Sequence, residues 1–168
     1  HAGDFCVGDL FYNKYFGVPE LQLMKQLEFD AMAVGNHELD FGPEVLNGVF
    51  TEGFSGGSFP VVSANLDMTG YPALEDWITP STIKTINGIK VGIFGMTIPD
   101  PMNSPSPVIV RDDLLPIAQQ IIADLQGDGA DVIIMLSHLG IMYDQLIASN
   151  VSGIDFIVGG HDHYVFDQ

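Results

Sequence analysis

Apolar residues along this chain fall into two alternating rhythms. Continuous runs over residues 30–34, 59–66, 131–136 and 154–158 have the length and content of buried strands. Between them, apolar positions recur at helical spacing. Leu21, Leu23, Met24 and Leu27 form one stripe behind Pro19, and Leu115, Ala118, Ile122 and Leu125 form another within 112–125, capped at Asp112 or Asp113. Shorter helices are expected over 44–50, opened by Gly42 and Pro43, and over 142–148. Residues 83–97 read as a hairpin, because Asn87 and Gly88 favour the positive φ angles of a two-residue turn. Residues 3–9 read as a glycine-rich turn, and 67–80 and the proline-rich 99–107 as irregular. Strands alternating with helices, with one hairpin inserted, define a layered α/β fold with a mostly parallel sheet.

The polar residues that interrupt this pattern are concentrated at strand ends. Asn36, His37 and Asp40 follow the 30–34 run, His138 follows 131–136, and His161 and His163 follow 154–158. Asp4 stands where a strand before Gly3 would end. Parallel strands bring their C-terminal ends to one edge of a sheet, so these residues should converge there. Of the five histidines, only His1 lies elsewhere. A carboxylate, an amide oxygen and several imidazoles suit a borderline divalent ion such as Zn²⁺, Mn²⁺, Fe²⁺ or Co²⁺ better than Ca²⁺. Without thiolates at the strand ends, a closed structural zinc site is not expected. Asp40 has the spacing to hold His37 in one tautomer.

Composition narrows the possible partners. With 22 Asp and Glu against 5 Lys and Arg, the formal charge of -17 opposes binding to nucleic acid or an anionic membrane. A phosphate substrate would then need bound cations. The length of 168 residues and 46% hydrophobic content fit one domain with a sizeable core. No run is long and apolar enough to span a membrane. The single cysteine, Cys6, excludes an intrachain disulfide and reads as core filler.

Taken in order, Gly3 and Asp4, then Gly35-Asn36-His37-Glu38, then His138, then Gly160-His161-Asp162-His163 resemble the motifs of the calcineurin-like metallophosphoesterases. Residues 35–42 and the stretch Pro60-Val61-Val62-Ser63-Ala64-Asn65 are similar, more narrowly, to the 5′-nucleotidase branch. The resemblance implies an α/β/β/α sandwich and a site for two divalent ions, whether Zn, Mn, Fe, Co or Mg. Asp4 would bridge both ions, Asn36, His138 and His161 would complete one shell, and His163 would serve the other. His37, oriented by Asp40, would face the phosphate, and a hydroxide between the ions would attack phosphorus in line. The substrate implied is a nucleoside 5′-monophosphate, and the location periplasmic or extracellular.

The family's opening Asp-X-His motif has no counterpart upstream of Asp4, and no C-terminal nucleotide-recognition domain follows His163. Residues 1–168 therefore read as a partial catalytic domain of a longer enzyme. Alternatives on the same scaffold are a 2′,3′-cyclic phosphodiesterase, a nucleotide-sugar hydrolase, a thiosulfohydrolase, or a metal-binding module without turnover. Among weaker signals, residues 65–76 faintly match a calcium loop but read as a surface turn. Asn150-Val151-Ser152 is a glycosylation triplet of the kind that occurs often by chance, and Trp77 reads as packing.

Overall fold

The computed structural model describes residues 1–8, 10–99 and 107–164. In chain order the elements are α1 (Leu10–Tyr15), α2 (Val18–Gln26), β1 (Met32–Ala33), a 3-10 turn (His37–Leu39), α3 (Pro43–Gly53), β2 (Val61–Val62), β3 (Leu66–Asp67) and α4 (Pro72–Glu75). They continue with β4 (Ile78–Thr79), β5 (Ser81–Ile86), β6 (Ile89–Thr97), β7 (Ile109–Val110), α5 (Leu114–Gly127), β8 (Val132–His138), α6 (Ile141–Asn150) and β9 (Phe156–Gly159). One sheet, ordered β1-β2-β4, is parallel throughout. A second, ordered β5-β6-β8-β9, is parallel apart from the antiparallel β5–β6 hairpin, whose turn is Asn87-Gly88. A short antiparallel ribbon of β3 and β7 lies beside them.

Strand alternation sorts the apolar residues into three sheets of contact, and these produce four structural layers. Met32, Val34, Val61 and Ile78 pack outward against Leu21, Met24, Leu46 and Phe50 of α2 and α3. On the other side, Phe94, Met96, Ile133 and Met135 pack outward against Ile117, Ile122, Leu125 and Ile147 of α5 and α6. Between the two sheets lie Ala31, Ala33, Val62, Ile93 and Leu136. Every second residue of a strand faces the same way, so Ile134, Leu136 and His138 share the inter-sheet face of β8. The result is the expected α/β/β/α arrangement.

The inter-sheet layer is thin because its residues are small. A Cβ at Gly95 would overlap the Val62 carbonyl, and the sheets approach closely enough for the Ala64 N–H to donate to the Gly95 carbonyl at 2.8 Å. Beside this contact, the Thr97 hydroxyl donates to the Val34 carbonyl at 2.7 Å and lies 2.8 Å from the Ser63 hydroxyl. Asn65 completes the network, accepting from Thr97 N–H at 2.8 Å and donating to the Thr97 carbonyl at 2.7 Å. This buried polar staple fastens the ends of β1, β2 and β6 together, directly beneath the edge that carries the candidate site.

Several expectations need correction in detail. The expected strand over 59–66 divides into β2 and β3: the Ser63 N–H still donates to the Thr79 carbonyl at 2.9 Å, but the Asn65 side chain turns to Thr97 and Leu66 pairs with Val110 of β7 instead. The irregular stretch contains α4 and β4, and the glycine-rich turn is followed at once by α1. Asp113 stands at the N-terminus of α5, but its carboxylate pairs with Arg111 instead of capping the helix. Residues 65–76 form no calcium loop: Asn65 is buried in the staple, and Asp67 accepts from Thr69 N–H at 3.0 Å in a local turn. Trp77 packs against the stacked rings of Phe50 and Phe54, as expected. The expected proline-rich loop over 99–107 lies largely outside the described residues. No helix among the described residues is long and apolar enough to cross a membrane.

Candidate metal centre

The C-terminal ends of β1, β8 and β9 meet the segment that carries Asp4. His138, the last residue of β8, points from the inter-sheet face, with Nε2 3.1 Å from Asp4 Oδ2 and 3.1 Å from Asn36 Oδ1. His161, past the end of β9, places Nδ1 3.2 Å from the same Asn36 oxygen. Asp4, His138 and His161 each offer a ligand atom within 4.8 Å of the others. The Asn36 oxygen lies within 3.2 Å of both imidazoles and so adjoins this group of three. A carboxylate, an amide oxygen and two imidazoles form a donor set that a borderline divalent cation fits. The second nitrogen of His138 fixes its orientation: Nδ1 lies 2.6 Å from the Ala2 carbonyl. An imidazole anchored in this way through one nitrogen presents the other for ligation.

Electrostatics agree with this reading. Burial opposes ionisation of Asp4, but hydrogen bonding and charge from His138, with the His37 N–H, outweigh it and hold the carboxyl below its ordinary value. Burial likewise works against protonation of His138, yet bonding and charge from Asp4, and the Ala2 carbonyl, raise its pKa. A cation would take the place of that proton.

His37 stands beside the cluster. Its N–H donates to Asp4 Oδ1 at 3.0 Å, its carbonyl accepts from the Tyr12 hydroxyl at 3.3 Å, and its Nδ1 lies 2.8 Å from Asp40 Oδ2. The side chain is partly exposed, and Nε2 is the ring nitrogen that does not face Asp40. His163 is not drawn into the group: it is exposed, in a left-handed conformation, and lines a cavity of about 490 Å³ with Asp144, Asp162 and Tyr164. His1 pairs its backbone with Ala31 and Ala33 and rests its ring on Phe29.

Residues the sequence did not single out hold these groups in place. Tyr12 comes from α1, a six-residue helix with a single buried side chain and so no apolar stripe to betray it. Glu38 is buried, and its carboxylate accepts from the backbone of both Asp4 and Gly35. Burial, and secondarily the Asp4 charge, push its pKa up. Asp162 accepts from Ile141 N–H at 2.7 Å, tying the loop after β8 to the loop that carries His161 and His163. Cys6 is buried in the core, and burial together with Glu38 pushes its thiol pKa far up, which leaves it inert.

Residues 1–165 match the family model described as calcineurin-like phosphoesterase, and this chain belongs to that family. The "Trifunctional nucleotide phosphoesterase protein YfkN" of Bacillus subtilis is 33% identical over 99% of the chain and 14% of its own length. The 5′-nucleotidase of Diplobatis ommata is 37% identical over 96% of the chain and 28% of its own length. Among solved structures, a 5′-nucleotidase precursor from Thermus thermophilus superposes with a TM-score of 0.88 at 38% identity, over 96% of this chain and 32% of that one. The chain thus spans about a third or less of the length of these relatives.

Proposed function

We propose that this chain carries the hydrolytic centre of a metal-dependent phosphomonoesterase acting on nucleoside 5′-monophosphates. The observation that supports it most is the convergence of Asp4, Asn36, His138 and His161 beside a His37–Asp40 pair on the same edge of the sandwich. Asp4, Asn36, His138 and His161 would hold one divalent ion, while His163 stands apart from them, exposed in the loop after β9. Bound among those four, such an ion supplies Lewis-acid stabilisation of phosphoryl oxygens and a hydroxide at neutral pH.

The chain's own residues do the rest. Asp4 and Asn36 contribute anionic and neutral oxygens that would hold a cation, and a held cation offsets the repulsion between a -17 chain and a phosphate. His37, kept by Asp40 with Nε2 outward, donates a charge-assisted hydrogen bond to the phosphoryl group where negative charge accumulates. The nucleotide specificity is taken from the relatives' names, and the relatives extend well beyond the matched stretch. Recognition of the base is placed in such additional sequence.

The test is phosphate release by the metal-loaded full protein from AMP, from a 2′,3′-cyclic nucleotide and from a thiosulfate ester. Turnover of AMP that disappears on chelation supports the reading. Absence of turnover with every phosphate ester overturns it.

A further inference from the structure

Two segments that sequence places more than thirty residues apart must be held against each other for the centre to exist. Asp4 lies on one and Asn36 on the other. Between them sits the side chain of Glu38, 4% exposed. Its Oε2 accepts the Asp4 N–H at 2.8 Å and the Gly35 N–H at 2.5 Å, and its Oε1 accepts the Cys6 N–H at 3.3 Å and the Cys6 thiol at 3.2 Å. In return, Asp4 Oδ1 accepts the His37 N–H at 3.0 Å. Each segment thus places a carboxylate on the other's backbone amides.

We propose that Glu38 is a positioning residue for the metal centre, a clamp that fixes Asp4 and Gly35 through their amides while touching neither ion nor substrate. The inference rests on the metal-binding reading of Asp4, Asn36, His138 and His161 given above. Three observations carry it. A buried carboxylate costs free energy unless it is matched, and among the described residues the hydrogen-bond partners of Glu38 are amide and thiol donors rather than a cation. A group kept at such cost acts through what it holds. Asp4 has a φ of 56°, a left-handed conformation that a residue with a side chain keeps only where its surroundings over-determine it. Glu38 supplies that constraint at the Asp4 amide. Finally, a Cβ on Gly35 would collide with the Asp4 backbone nitrogen, so the approach that Glu38 bridges leaves no slack.

A carboxylate is suited to this place because it has acceptors on both oxygens and no hydrogens. Glutamine has the same shape but would turn an NH₂ toward one set of N–H donors. Glu38→Gln therefore removes half of the clamp while keeping its volume.

The experiment is calorimetric titration of Mn²⁺ into the metal-stripped full protein, comparing wild type, Glu38→Gln and Asp4→Asn, with circular dichroism to verify the fold. The clamp predicts Mn²⁺ binding weakened by about 10- to 100-fold in a folded Glu38→Gln, the range seen when outer partners of a metal site are lost. Wild-type affinity in Glu38→Gln, with affinity lost in Asp4→Asn, overturns the clamp and leaves the metal reading standing. Wild-type affinity in both variants overturns the metal reading and the clamp with it. Should Glu38→Gln not fold, amide exchange in metal-free wild type decides. Protected Asp4 and Gly35 amides support the clamp, and rapid exchange at both overturns it.

Discussion

Nδ1 of His37 lies 2.8 Å from Oδ2 of Asp40, three residues further along the same turn. The 3-10 turn His37–Leu39 makes the distance possible by bringing residues i and i+3 onto one side. The carboxylate accepts the hydrogen bond of Nδ1–H and so sets the tautomer, which in the neutral ring leaves Nε2 as the unprotonated nitrogen turned away from Asp40.

If His37 acts on the phosphoryl group, His37→Ala lowers kcat by about 10²- to 10⁴-fold, the usual contribution of a positioned proton donor. Asp40→Asn lowers it less, by about 10-fold or more, because the ring remains and only its orientation is lost. Metal content by elemental analysis stays at the wild-type level in both. Loss of metal in His37→Ala would remove it from the substrate side of the site.

Metal affinity should depend on pH in a direction set by His138. Asp4 raises the pKa of His138, and its own carboxyl is held low, so Asp4 stays ionised while His138 carries the proton that a cation must displace. Affinity for Zn²⁺ or Mn²⁺ then climbs as pH rises through the raised His138 value and flattens above it. In Asp4→Asn the plateau begins at lower pH, since the partner that raised His138 is gone. Titrations at a series of pH values check both points, and an affinity independent of pH across that range contradicts them.

Thr97 is the point where the two sheets are fastened beneath the site. Thr97→Val keeps the shape and leaves the Val34 carbonyl without the Thr97 hydroxyl, at an expected cost of about 1–3 kcal/mol. Gly95→Ala attacks the same contact by volume, since its new Cβ would overlap the Val62 carbonyl, and should cost a further ~1–3 kcal/mol or more. Urea denaturation of the metal-free protein measures both. A stability unchanged in Gly95→Ala would mean that the sheets are free to separate.

The layered fold and the meeting point of the histidines were legible because parity is simple physics. A buried strand alternates its faces, parallel strands end together, and polar residues after apolar runs therefore collect on one edge, as His138 and Asn36 do. What stayed hidden depends on partners distant in sequence. Glu38 is an ionisable residue, a type rarely buried, so its place inside the molecule could not be read without the amides that surround it. Tyr12 belongs to a helix too short to show a stripe. The break between β2 and β3 follows from Asn65 reaching Thr97, a side-chain bond that local propensity does not encode.

On the proposed function, four residues from distant parts of the chain hold one cation. Crystals of the full protein soaked in Mn²⁺ and measured for anomalous scattering test it directly. The expected result is an anomalous peak with ligand atoms of Asp4, Asn36, His138 and His161 at about 2.0–2.3 Å, the range for first-row divalent ions on oxygen and imidazole. Mn²⁺ bound elsewhere, with no peak among these four side chains, would contradict it.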